Sequence, residues 1–355
     1  MRTGPFSKLQ KIADGGWLDV FPLLALAAAA YASSLDAYFH GDDFVAFVDL
    51  VTKPPLQHLQ DVLTFSDSNF YWRPLGQLYY RGLYEAFGLD PKAFRIANLA
   101  VFLITLAFVH RLCLGLGLPR PAAAAAMVFL ALFPNHVVSV AWVTNAPRLL
   151  ATAFFALTLL LLQRAFAGGR RRAAYETGAW CCMLAACLSD EVAIALAPVP
   201  VAYAVLVRRE YRSPLLLSVR ALAYGGFVAA LLPLQFSHTL DDEPRLARYH
   251  MSSHVFDQTW ALFSQLALPL ADSNPMDVVV STMPDEQRIA GAAAIAFCAI
   301  ALVIGSGTMR FLAVWTAAAL APFTLWDMPV VGPRYVYMAA VPFAILLAAA
   351  AARTV

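Results

Sequence analysis

Charge is what this sequence has least of: 14% of its 355 residues are Asp, Glu, Lys or Arg, against roughly a quarter in soluble globular domains. With a mean hydropathy of +0.65, that scarcity excludes a soluble single-core domain and leaves an all-α polytopic membrane protein. There is no basic stripe, so nucleic acid is not an expected partner. There is no disulfide framework either. Cys113, Cys181, Cys182, Cys187 and Cys298 fall within or at the ends of apolar runs, where cysteine behaves as a small hydrophobe. No internal repeat is found. The formal net charge of +2 carries little information, because in a membrane protein the side on which each charge sits matters more than the sum.

What the chain does have is long apolar runs. Ten approach the roughly 20 residues that cross a bilayer: Trp17–Ser34, Phe94–Gly115, Ala122–Val140, Leu149–Phe166, Ala173–Leu188, Val192–Val207, Leu215–Phe236, Ile289–Gly305, Phe311–Leu325 and Tyr335–Ala352. Arg2, Lys8 and Lys11 precede the first run, and no small-residue cleavage site follows a short core, so the run reads as a retained anchor. With the N-terminus cytoplasmic, the inside holds 15 of the 25 basic residues, as the positive-inside rule asks. The outside then holds 19 of the 23 acidic residues, which is a separate bias. The chain divides into a membrane module over residues 1–237, a second outer loop over 238–288, and closing spans over 289–355. The Ala- and Arg-rich composition suggests a bacterial chain, hence the plasma (inner) membrane.

Within the first module the outer segment 35–92 is long. Leu75, Leu78, Tyr79, Leu83 and Phe87 fall on one helical face, which predicts a helix lying along the membrane surface. The second outer loop is polar and reads as irregular.

The chemistry centres on Asp42 and Asp43, just after the first run. Adjacent carboxylates near a low-dielectric surface repel, so one can gain proton affinity and serve as a general base. The same pair can instead be a solvated loop or the N-terminal cap of the next helix. Histidines are scattered: His40 lies near the pair, and His238, His250 and His254 share the second loop with Asp241, Asp242 and Asp257. Their spacing matches no zinc pattern, which favours surface histidines over ligands. No metal site is assigned, and dependence on a divalent cation is left open.

The order of short motifs goes further. Asp42-Asp43 is followed by Tyr71-Trp72-Arg73-Pro74-Leu75, Phe87-Gly88-Leu89-Asp90-Pro91 and Asn98. Then come Leu132-Phe133-Pro134-Asn135-His136-Val137, Val140-Ala141-Trp142-Val143, Arg148-Leu149-Leu150-Ala151, Leu188-Ser189-Asp190-Glu191-Val192, and Gly332-Pro333-Arg334-Tyr335-Val336-Tyr337. This series resembles the GT-C glycosyltransferases, in the branch with the TMTC and PMT protein O-mannosyltransferases. The resemblance implies a GT-C fold and a sugar donor carried on a polyprenyl phosphate. It further implies Asp42 as catalytic base and Asp43 as its partner. Glu191 carries over as a catalytic residue; Asp190 stands where the pattern usually has Lys. A phosphate leaving group calls for arginine, whose planar fork pairs two oxygens. Arg73, Arg148 and Arg334 are the outer candidates, with Asp190, Tyr335 and His136 beside them, although each arginine can equally snorkel from a helix end.

Because the sequence ends soon after its last run, a protein acceptor is less expected than a lipid, a glycan or a peptide supplied by another subunit. Two rivals stand beside the enzyme: a transporter or flippase of a lipid-linked molecule, and an inactive scaffold subunit. The first would place ionisable or helix-breaking residues at mid-membrane and show repeated halves, whereas the charges here gather at run ends.

Overall fold

The computed structural model describes residues 20–64, 72–209, 226–227, 230–231, 251–268, 278–279, 283–327 and 330–354. The start of the first apolar run, Tyr71, most of the seventh run, and the charged cluster 241–248 with His238 and His250 lie outside these residues. The described chain is helical apart from one two-residue ladder.

The chain opens with α1 (Phe21–Tyr31), extended by a 3-10 turn over Ala32–Asp36. The first outer segment holds four short helices: α2 (Asp42–Ala46), α3 (Val48–Thr52), α4 (Pro55–Leu63) and α5 (Pro74–Phe87). Then come α6 (Pro91–Gly115), α7 (Arg120–Leu132), α8 (His136–Ala141), α9 (Ala146–Phe166) and α10 (Arg172–Ser189). A broken stretch follows: a 3-10 segment Glu191–Leu196, α11 (Val199–Ala202) and a π turn Tyr203–Val207. The chain closes with α12 (His254–Ala267), α13 (Asp285–Ile304), α14 (Gly307–Leu325) and α15 (Tyr337–Thr354). Strands β1 (Val278–Val279) and β2 (Val330–Val331) pair antiparallel, with Val278 opposite Val331.

Five of these helices are long and apolar enough to cross a membrane: Pro91–Gly115, Val143–Phe166, Asp285–Ile304, Gly307–Leu325 and Pro333–Arg353. The protein is thus membrane-embedded. Two expected runs differ from a continuous span, and one expected loop is partly helical. The run 122–140 stops at Leu132, because Pro134 has no N–H to offer and forces Phe133 into extended backbone, with ψ 114°. The run 192–207 contains Pro198 and Pro200, and breaks into three pieces around them. The second outer loop, expected to be irregular, contains the 14-residue helix α12, which packs on α13 and buries Ala261, Leu262, Phe263 and Leu266.

The bundle is organised around α9, which packs against α10 and α6, while α15 packs against α14 and α7. Hydrogen bonds define its two ends. Gln163 donates to the Leu112 carbonyl and Arg208 to the Phe166 carbonyl, so the ends of α6, α9 and the broken stretch lie together. Arg164, Arg170, Arg171 and Arg172 are exposed there, with Glu176 paired to Arg172. The opposite end carries Asp36, Asp42, Asp43, Asp49, Asp190 and Glu191.

At that acid-rich end a small second core fixes the first outer segment. Phe47 packs edge-on against Phe39 (5.0 Å between ring centres) and Tyr80 (5.7 Å), and tilts against Phe94 (5.1 Å). Buried Arg95 of α6 donates to the carbonyls of Ala37 (2.9 Å) and Tyr38 (2.7 Å), pinning the strand that leads to Asp42. Helix α5 buries Gly76, Gln77, Tyr80 and Arg81; of its apolar stripe Tyr79 and Leu83 pack on the second core, while Leu78 and Phe87 are exposed.

Candidate active site

The site is built outward from the turn Val143–Asn145, which joins α8 to α9. Three elements hold it. Asn98 of α6 reaches the carbonyls of Trp142 and Val143 at 3.5 and 3.4 Å, and Tyr80 of α5 donates to the Val143 carbonyl at 3.2 Å. From the first outer segment, Asp43 Oδ1 accepts the Thr144 N–H at 3.0 Å while its Oδ2 accepts the His40 N–H at 3.1 Å. Gly41 makes this possible: at φ 55°, ψ −123° it takes a backbone conformation costly for any residue with a Cβ. It turns Asp43 inward to complete burial and leaves Asp42 exposed.

Around this turn lies a cavity of about 280 Å³. Asp42, Val45 and Ala46 line one part of it, Arg73, Gln77 and Tyr80 of the α5 region another, and Arg148, Glu191, Arg334 and Tyr335 the remainder, with Trp142, Phe323 and Trp326 as aromatic walls. Asp42, Glu191, Arg73, Arg148, Arg334 and Tyr335, separated by up to 293 positions in sequence, therefore meet in one place.

Their charges are not equivalent. Arg73 grips Glu191 with both Nε and Nη2 at 2.6 Å, a fork-to-fork pair, and stands 3.9 Å from Asp190. Arg148, 6% exposed, gives Nε to Asp190 Oδ2 at 3.2 Å and Nη1 to the Arg334 carbonyl at 3.2 Å. Its guanidinium also lies over Phe323 (5.2 Å) and Tyr335 (5.6 Å). Asp190 caps the following turn by accepting the Val192 N–H at 3.0 Å. Burial pushes the Asp190 carboxyl up, but Arg73, Arg148 and the Val192 N–H outweigh it and hold the group below the usual carboxylate range.

Two lining charges remain without a counter-ion among the described residues. Asp42 makes no hydrogen bond or ion pair there. Arg334 donates to the Tyr335 hydroxyl at 3.0 Å and lies over the Trp142 ring at 4.8 Å, but meets no carboxylate. The β1–β2 ladder ends three residues before Arg334, and Arg148 holds its carbonyl.

No family model, no curated protein and no solved structure matches this chain. Residue roles therefore rest on geometry and on the resemblance of the motifs.

Three of the expected site residues stand outside the cavity. Asp43 is buried and ties the loop at His40 to the turn at Thr144. Asp190 is the buried counter-ion of Arg148 and so belongs to the frame of the site. His136 is fully buried, its Nδ1 bonded to the Leu130 carbonyl at 2.8 Å and its ring packed against Phe133 and Tyr337; the break at Pro134 turns it into the bundle. Gln77 and Trp142, by contrast, line the cavity although the sequence assigned them no role. Gln77 could have been found from its place on α5, across the helix from Leu75 and Tyr79. Among the described residues no three His, Cys, Asp or Glu side chains come together to hold a metal ion.

Proposed function

We propose that the chain is a membrane glycosyltransferase of the GT-C kind, working at the acid-rich, extracytoplasmic end of the bundle. The donor is a sugar linked to a polyprenyl phosphate and entering from the lipid; the acceptor is a hydroxyl of a glycan, a lipid or a peptide. One observation carries the reading. Of the charged groups lining the cavity, one carboxylate and one guanidinium, Asp42 and Arg334, have no counter-ion among the described residues, and every other lining charge is paired.

In the reaction, Asp42 takes the proton of the acceptor hydroxyl as its oxygen attacks the anomeric carbon. The bond from that carbon to the phosphate oxygen breaks, the electron pair leaves with the phosphate, and the configuration inverts. Arg334 offers two parallel N–H groups to the departing phosphate in surroundings that strengthen the interaction. Arg148 positions it through the backbone, and the Arg73–Glu191 pair fixes α5 against the end of α10. The exposed Leu78 and Phe87 of α5 support placing that helix at the outer membrane surface beside the cavity.

The test is mass spectrometry of lipids and glycans from cells with and without the protein, paired with transfer from a labelled polyprenyl-phosphate sugar in isolated membranes. A hexose-bearing product that appears only with the protein supports the reading. Identical profiles, together with no transfer, overturn it.

A further inference from the structure

Arg334 is a charge that the fold holds in place without neutralising it. The residue is half-buried in the cavity wall and meets no carboxylate among the described residues. Two aromatic rings stand where a counter-ion would be expected: the guanidinium lies 4.8 Å from the centre of the Trp142 ring and 5.0 Å from that of Tyr335. Both distances fall within the roughly 6 Å at which the negative face of a ring attracts a cation. Arg148 makes the contrast. It lies over the same Tyr335 ring at 5.6 Å, but Asp190 claims it at 3.2 Å.

The two kinds of hold leave an arginine with different chemistry. A carboxylate neutralises the guanidinium and occupies the in-plane N–H groups with which it grips phosphate. A ring face attracts the cation and leaves those N–H groups unspent. Arg334 donates from Nη2 to the Tyr335 hydroxyl at 3.0 Å, and its side chain makes no other hydrogen bond among the described residues. The rings are themselves fixed. Trp142 is 6% exposed, its carbonyl accepts from Asn98 at 3.5 Å, and Tyr80 holds the carbonyl of the next residue. The indole also lies 5.0 Å from the His40 ring, and a Cβ on Gly41 would stand 3.8 Å from its Cζ2, so the same side chain abuts the loop that carries Asp42. Tyr335 tilts against Phe323 at 4.9 Å.

We infer that Trp142 is a positioning residue: with the Tyr335 ring, its indole holds Arg334 charged and without a counter-ion, so that the guanidinium is already set when a phosphate ester arrives. Trp142 thereby ties the phosphate-binding cation to the loop that carries the proposed base. The class of ligand rests on the transferase reading; the hold on the cation does not. A group ordered before binding spares the ligand the cost of ordering it, which appears as affinity.

The probe is geranyl phosphate, and its binding to the full chain in lipid nanodiscs is measured by calorimetry. Trp142→Leu is expected to bind it about tenfold more weakly, and Trp142→Phe, which keeps a ring face, within about threefold of the wild type. In an Arg334→Gln background the Leu change is expected to cost less than about twofold, since the cation it served is gone; a general packing defect would cost the same in both backgrounds. If Trp142→Leu fails to accumulate, a trifluorinated tryptophan analogue carries the test, because it drains negative charge from the ring face and nearly keeps its size. Binding should then weaken several-fold in the otherwise native chain and not in Arg334→Gln. Binding unchanged by Trp142→Leu or by the analogue, or an equal loss in both backgrounds, overturns the positioning role and leaves the transferase reading standing. Losses confined to the chain with Arg334, with no sugar transfer by the wild type, sustain the role and overturn the transferase reading alone. A wild type that does not bind geranyl phosphate overturns both.

Discussion

Replacing Asp190 with Ala should destabilise the protein severely, for a reason that can be worked from the structure. The Asp190 carboxylate is fully buried and answers two arginines: Arg148 at 3.2 Å, itself 6% exposed, and Arg73 at 3.9 Å. It also accepts the Val192 N–H. Arg73 keeps Glu191 after the change, but Arg148, nearly buried, loses its only carboxylate among the described residues. Removing one partner of a buried pair costs about 3–5 kcal/mol, much of it the unpaired charge left behind. At roughly 2–4 °C per kcal/mol for a chain of this class, the apparent melting temperature in detergent should fall by on the order of 10 °C. The double variant Asp190→Leu with Arg148→Met deletes both charges and should recover most of that loss, because an apolar replacement of the whole pair is often neutral. A single variant that melts like the wild type, or a double variant less stable than the single, would refute the reasoning.

Further expectations follow from the same contacts. Because the folded Asp190 carboxyl is held below its ordinary range, its contribution is fully present above the unfolded value of about 4 and is lost as pH falls through the folded value; melting against pH should show an acid-side decline that flattens in Asp190→Asn. Gly76→Ala drives a methyl group against the Pro147 ring, which cannot rotate away, and should cost about 1–3 kcal/mol in thermal stability. Arg334→Gln should weaken binding of a short isoprenyl phosphate, measured by calorimetry, roughly tenfold to a hundredfold while leaving melting little changed. Arg73→Gln should do the opposite, lowering stability through the lost Glu191 pair.

Much of the helical scaffold was legible in the sequence because a long apolar run without proline has one solution in lipid: Pro91–Gly115, Val143–Phe166 and Asp285–Ile304 each contain an expected run almost entire. The runs that broke hold Pro134, Pro198 and Pro200, whereas α14 and α15 continue through Pro322 and Pro342, a difference that hydropathy does not carry. Helix α12 was missed because the polar residues at and before its start, Ser252, Ser253 and His254, dilute an apolar face that packs on α13 and α14. In the site, the sequence picked out the charged residues but not their division of labour. Asp42 and Asp43 differ by one position and by everything else, since the backbone turn at Gly41 buries one and exposes the other. Arg73, Arg148 and Arg334 look alike until the structure shows that Glu191 and Asp190 claim the first two. Trp142 and Gln77 went unread because a neutral side chain carries no charge signal in the sequence, and only the fold brings it to the cavity.

The most direct test of the account is sugar transfer by Asp42→Asn, measured in membranes with a labelled polyprenyl-phosphate sugar at matched protein levels. Asn keeps the size and exposure of the side chain but cannot take a proton at neutral pH. The expected result is loss of transfer by about 100-fold or more, with isoprenyl-phosphate binding at Arg334 and melting temperature preserved. Transfer retained near the wild-type rate would contradict Asp42 as the base.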